Sequence, residues 1–236
     1  MGLLRGVIES VNRVLGRLKR SQRVNVLDYV EQGDDVRINV GCGLAVTKGW
    51  VNIDGSLNAL IAVLPKPFHS LAYRLTGAKQ YYTKDEYCTL LRGHKFVHHD
   101  LVYGLPVDEG VVDCIYSSHF FEHLYRQDAK NLLSDCYRAL KEGGLIRVSI
   151  PDLHYAVSLY EKGKKEEMLK NYFFVEDDDS NYARHKYMYD YEMLSALLLE
   201  SGFCDVRQCQ YQVGAMPDID ILDNRPQESL FVEARK

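Results

Sequence analysis

Short apolar runs that stop abruptly at glycine, an acid or a small polar residue place the tightest limit on the fold. Val36-Arg-Ile-Asn-Val40 is rich in β-branched residues and runs straight into Gly41-Cys-Gly43. Val51-Asn-Ile-Asp54 and Phe96-Val-His-His-Asp100 each end in an acid. Val112-Asp-Cys-Ile-Tyr-Ser117 leads into Ser118 and His119, and Leu145-Ile-Arg-Val-Ser-Ile150 is stopped by Pro151. Runs of this kind bounded by turn residues read as strands. Helical periodicity lies between and after them. Ala129, Leu132, Leu133, Cys136, Tyr137 and Leu140 share one face, with Gly143 and Gly144 expected to end that helix. Asp190 is a good N-cap for a helix using Met193, Leu194, Leu197 and Leu198, which Gly202 stops. Final strands are expected near 203–213 and 229–234. Strands alternating with helices predict an α/β fold, a doubly wound parallel sheet covered on both faces.

A chain of 236 residues suits one such domain, expected over 31–236. Two segments break the repeating pattern: an insertion at 57–95 carrying Tyr73, Tyr81, Tyr82 and Tyr87, and a charged, aromatic stretch at 161–187 around Glu176-Asp-Asp-Asp179. Long insertions in α/β domains often cover the site, so the second is a candidate lid. The insertion's tyrosines suit either stacking on sugar rings or ordinary amphipathic surface. Residues 1–30 form a separate extension. Leu3, Leu4, Val7, Ile8, Val11, Val14, Leu15 and Leu18 recur at helical spacing, interleaved with arginines. That helix can pack on the domain or a second copy, or lie on an anionic membrane surface.

A formal net charge of -4 gives no sign of a nucleic-acid partner. No run of 18 apolar residues spans a membrane, and no signal peptide is evident. The six cysteines form no C-x-x-C pair and read as buried thiols of a reducing compartment. A cytoplasmic location is expected, with peripheral contact at the inner membrane face through the first helix as the further possibility.

In an open parallel sheet, ligands bind beyond the carboxyl ends of the strands. The residues expected there are Asn39, Gly41, Cys42, Gly43, Asp54, Asp100, Ser117, Ser118, His119, Pro151 and Asp152. Glycines admit a close ligand, and an acid after the second strand can accept hydrogen bonds from both hydroxyls of a ribose. The crevice suits a nucleoside.

Ile38-Asn-Val-Gly-Cys-Gly43, the block Gly104 to Leu124 containing Ser-Ser-His-Phe-Phe-Glu-His, and Arg138 to Asp152 together resemble class I, Rossmann-like S-adenosylmethionine-dependent methyltransferases of the type-11 kind. Gly49-Trp-Val-Asn-Ile-Asp54 is similar to a subfamily associated with polysaccharide and glycan biosynthesis. The resemblance covers about 36–56, 96–155 and 187–235. It implies a seven-stranded, mostly parallel sheet, with S-adenosylmethionine as cofactor and S-adenosylhomocysteine as product. It also implies Gly41 and Gly43 near the methionine part, Asp54 on the ribose, Asp100 with Leu101 on the adenine, and His119 beside the methyl donor. Asn39 stands where many members have an acid. The short gap between Gly43 and Asp54 leaves little room for the usual first helix, which predicts an open pocket or one covered by another segment.

The implied reaction moves a methyl group to a sugar, glycan or small-metabolite hydroxyl. A hydroxyl must lose its proton, and His119, then His154 or Asp152, are the candidate bases. His185 lies in the possible lid. Two other readings stand beside this one. A non-catalytic nucleoside-binding module would keep the same cradle. His119-Phe-Phe-Glu-His123 matches the H-x-x-E-H of some zinc hydrolases, which needs both histidines on one helix face. No metal ligand set is expected from the sequence. The sequence does not fix the oligomeric state.

Overall fold

The structure is a computed structural model, and it describes residue 10 and residues 14–73, 77–173 and 184–236. Seven strands form one sheet: β1 (Arg37–Val40), β2 (Trp50–Asp54), β3 (Lys95–His98), β4 (Val112–Ser118), β5 (Leu140–Pro151), β6 (Cys204–Cys209) and β7 (Ser229–Arg235). Their order is β3-β2-β1-β4-β5-β7-β6. The first five run parallel, and β7 inserts antiparallel between β5 and β6. The chain moves outward from β1 to β3, then crosses back to β4 on the other side. The switch point between β1 and β4 is therefore where a crevice opens.

Eight α-helices are named here: α1 (Leu57–Ala62), α2 (Lys66–Ala72), α3 (Lys84–Gly93), α4 (Arg126–Ala139), α5 (Leu153–Glu161), α6 (Lys165–Met168), α7 (Tyr191–Glu200) and α8 (Ile219–Leu222). The main core joins Ile38, Val40, Ile53 and Ile115 of the strands to Ala129, Leu132, Leu133 and Cys136 of α4 and Leu194, Leu197 and Leu198 of α7. The helical period seen in the sequence is the face that is buried. One helix boundary differs from expectation, and with it the start of β5. α4 ends at Ala139, before Gly143 and Gly144, because Leu140 already pairs with Val112 and opens β5.

No helix stands between β1 and β2; residues 41–49 are turn and loop. Three helices of the insertion cover this part of the sheet instead. Cys42 packs in a second core with Ala59 and Ile61 of α1, Tyr87, Cys88 and Leu91 of α3, and Phe96 of β3. Thr83 and Glu86 close a capping box that fixes the start of α3. The insertion's tyrosines are mostly structural. Tyr87 is fully buried and donates to Asn58, while Tyr73 donates to the Tyr82 carbonyl.

A buried charge network ties the carboxyl-terminal loop to the sheet. Arg147 of β5 has no exposed surface and meets Asp223 at 2.6 Å and Glu233 of β7 at 2.9 Å. Its guanidinium also donates to the carbonyls of Gln210 and Val213. Every strong donor has an acceptor, the condition for a tolerable buried charge. Trp50 is core and donates to Asp218 at 2.8 Å. All six cysteines are free thiols. Among the described residues, no helix is long and apolar enough to cross a membrane.

Candidate active site

β1 ends at Val40, and the chain turns at once through Gly41 and Gly43, both left-handed with φ of 67° and 53°. The two glycines serve different neighbours. A Cβ at position 41 would stand 2.1 Å from Phe120 Cγ, while one at position 43 would meet nothing within 4 Å. Gly41 therefore makes way for an aromatic ring of the protein, and Gly43 borders open space above the strand ends.

Asp54 closes that space at the end of β2. Only 7% exposed, it accepts the Gly43 amide on Oδ2 at 2.8 Å and the Ser56 amide on Oδ1 at 2.6 Å. Each carboxylate oxygen retains a further lone pair for a hydroxyl. The arrangement fits a ribose that approaches between the glycine turn and β2.

The remaining residues expected to bind a nucleoside are placed less uniformly. Asn39 is buried, and its amide donates to Ala45 O and Asn52 Oδ1, so it holds the turn in place. Cys42 faces the insertion core, and its thiol pKa is pushed well up by burial and then by Asp54. Leu101 belongs to the main core, which leaves its backbone as the part that can face a base. Asp100 caps the turn Leu101–Tyr103 by accepting the Val102 amide at 3.2 Å. Ser117 is fully buried, and its hydroxyl has no hydrogen-bond partner.

A further wall stands over Asp100. Residues 14–19 are helical, and Gly16 packs so closely that a Cβ there would lie 3.0 Å from Asp100 Cβ. Lys19 reaches His98 Nδ1 at 3.5 Å. Burial, then the Lys19 charge, lower the His98 pKa to about 4, so this imidazole is neutral near pH 7. Farther along, Arg23 donates to the Val107 carbonyl and Val24 bridges to Val107, which fastens the segment to the domain. The expected helix over residues 3–18 lies mostly outside the described residues; its described end packs on the domain.

The chain leaving β4 carries the second half of the site. His119 has φ of 49° and is held by its amide on Ser149 O at 2.8 Å and by its Nε2 with Ser229 Oγ at 2.9 Å. Next to it, Phe120 lies on Gly41, and the turn Phe121–His123 brings Glu122 and His123 inward. H-x-x-E-H thus spans a strand end and one tight turn, and its two histidines do not share a helix face. Glu122 is 1% exposed, with His119 Nδ1 at 3.5 Å and His123 Nε2 at 3.8 Å. Burial raises its pKa, but His119 and His123 outweigh that and leave it lowered. His185 comes from the last part of the expected lid, with its ring 5.1 Å from that of His123.

Beside His185, a cavity of about 370 Å³ opens between Pro151, Tyr172, Arg225 and Glu228. It is of a size for a sugar unit or a small metabolite. The other two candidate bases sit differently. Asp152 caps α5 by accepting the His154 amide at 2.9 Å, and His154 is exposed on that helix. The acidic stretch 176–179 lies outside the described residues. Glu122 and His123 were legible in the fourth-strand block and as the H-x-x-E-H match; Ser229 and Arg225, which meet His119, and Tyr172, which meets His185, carried no sequence signal.

This sheet order, with one antiparallel strand beside a parallel set and a glycine turn at the switch point, is the class I methyltransferase fold. Residues 66–148 match a family described as a methyltransferase domain, a stretch that runs from α2 into β5 and omits the glycine turn. The fold is shared with a SAM-dependent methyltransferase, possible histamine N-methyltransferase, from Thermotoga maritima: 14% identity, 98% of this chain and 97% of that one, TM-score 0.50. It is also shared with a possible exported protein from Bordetella parapertussis: 16% identity, 95% of this chain and 65% of that one, TM-score 0.50. No curated protein matches the sequence. The chain thus resembles a methyltransferase domain over residues 66–148 and has the class I methyltransferase fold.

Proposed function

We propose that the chain transfers the methyl group of S-adenosylmethionine to a hydroxyl of a sugar, a glycan or a small metabolite. The observation that carries the cofactor site is the open space at Gly43 next to the Asp54 carboxylate. When bound, the cofactor supplies an electrophilic methyl on a sulfonium. Asp54 accepts the ribose hydroxyls, and Asp100 with the Leu101 backbone meets the adenine edge. Gly41 and Gly43 let the methionine part lie on the turn. Negative charge from the two acids favours a cationic ligand at this place.

The acceptor enters through the cavity beside His185 and stops near His119. Its oxygen forms a bond to the methyl carbon as the bond from that carbon to sulfur breaks, leaving S-adenosylhomocysteine. The reacting atoms need to meet in line at roughly 3 to 3.5 Å. His119, fixed by Ser229, takes the hydroxyl proton. Buried Phe121 and the half-buried Phe120 beside it keep water from the junction of the two half-sites. The glycan preference is supported by the Gly49–Asp54 resemblance.

Calorimetric titration with S-adenosylmethionine and S-adenosylhomocysteine, with NAD as control, tests the reading. Micromolar affinity for the two methionine nucleosides alone is expected. A folded sample that binds neither refutes the cofactor site.

A further inference from the structure

We propose that Glu122, His123 and His185 form a binding site for a first-row divalent transition metal at the inner end of the acceptor cavity. The ligand atoms of these three side chains lie within 4.8 Å of one another. Metal–ligand bonds of about 2.0–2.2 Å would place ligand atoms roughly 3.3 Å apart in a tetrahedral site, so the three need to close in only modestly.

Two further observations point to a ligand. Glu122 is almost wholly buried, and neither of its carboxylate oxygens has a hydrogen-bond partner. A buried carboxylate left in this way is costly, and a cation between it and the imidazoles removes the cost. The histidines are also oriented as ligands are. His123 directs Nδ1 at the Arg184 carbonyl at 3.1 Å, and His185 directs Nδ1 at the Tyr172 carbonyl at 2.8 Å. A backbone carbonyl can only accept, so each Nδ1 carries a hydrogen, which leaves Nε2 as the nitrogen available to a metal. That outer arrangement is the usual one around metal-bound histidines.

The backbone builds this meeting. The amides of Lys186 and Tyr187 both donate to the Glu122 carbonyl, at 2.7 and 3.2 Å, which docks residues 184–187 on the turn holding Glu122 and His123. Two imidazoles and one carboxylate suit zinc, cobalt, nickel or iron better than magnesium or calcium, which prefer all-oxygen sets. Three protein ligands leave a coordination position open. His185 also lines the cavity, so the site borders the space assigned to the acceptor. A hydroxyl bound there would be acidified. This last role rests on the methyl-transfer reading; metal binding itself does not.

The test uses the full chain, stripped with a chelator and titrated with cobalt(II), read by visible absorption and equilibrium dialysis. About one equivalent, with the absorption of a low-symmetry nitrogen–oxygen site, is expected. His185→Ala and Glu122→Gln should each weaken uptake at least tenfold, with folding checked by circular dichroism. His185, on a surface stretch, keeps the test usable if the Glu122 variant fails to fold. Absence of uptake overturns the site, and so does uptake that His185→Ala leaves unchanged. Calorimetry with S-adenosylhomocysteine on the same samples separates the two readings. Cobalt uptake without nucleoside binding keeps the metal site and removes the methyltransferase.

Discussion

Asp54 accepts the backbone amide of Gly43 at 2.8 Å, so the acid at the end of β2 clamps the turn at the end of β1. The same carboxylate is assigned to the ribose. Charge-assisted bonds of this kind contribute about 1.5–3 kcal/mol each, a factor of roughly ten to a hundred in affinity. Asp54→Ala is expected to weaken S-adenosylhomocysteine binding by at least tenfold in calorimetry while the circular dichroism spectrum is retained. An unchanged Kd would remove Asp54 from the nucleoside site.

Gly41→Ala should be destabilising because its Cβ would land inside the ring of Phe120 and the backbone there is left-handed. Overpacking of this kind costs about 1–3 kcal/mol. The cost is shared between two residues, so Phe120→Ala should recover part of it. A double-mutant cycle by urea denaturation measures the coupling. Simple additivity of the two changes would show that the ring is not the obstacle.

Arg147 is the residue whose loss should hurt stability most outside the apolar core. Replacing it by Met leaves Asp223 and Glu233 buried without their cation, a change that costs about 3–5 kcal/mol. The network also holds the loop that leads to Arg225 and Ser229, so His119 should lose its fixed orientation. Chemical denaturation measures the first effect. A loss under 1 kcal/mol would mean that the triad contributes little.

Acid should weaken the fold in a definite window. Burial, then Lys19, depress His98 from 6.5 to about 4. Between those values the unfolded chain binds the proton and the folded chain does not, so stability falls as pH falls. His99 and His185, also lowered by burial, add to the same slope. Urea midpoints measured from pH 7 to 4 should fall steadily, and His98→Asn should flatten the curve. Parallel curves for the two proteins would show that His98 does not contribute.

The sheet was legible in the sequence because the apolar runs end at or close to turn residues. Gly41, Asp54, Asp100 and Pro151 lie at or just beyond the ends of β1, β2, β3 and β5, and the helical periods of α4 and α7 pointed to a covered parallel sheet. What could not be read are contacts made between distant segments. Arg147 looked like an ordinary strand residue, since Asp223 and Glu233 are far along the chain. Glu122 and His123 were visible as a motif, but their third neighbour, His185, arrives only because the amides of Lys186 and Tyr187 dock on Glu122. Asn39 stands where a ligand contact was expected, yet burial turns its amide inward to Ala45 and Asn52.

The packing of Gly16 on Asp100 and the reach of Lys19 to His98 change how the amino terminus should be handled in the laboratory. This part of the chain packs on the strand ends beside the proposed nucleoside site, so it is no neutral place for a fusion. An affinity tag placed there could pull the helix from its seat and be mistaken for an inactive enzyme. Attachment at the other end carries its own constraint, because the Lys236 amide pairs with the Gly144 carbonyl at 3.1 Å. A cleavable leader, removed before any cofactor titration, is the arrangement the architecture tolerates.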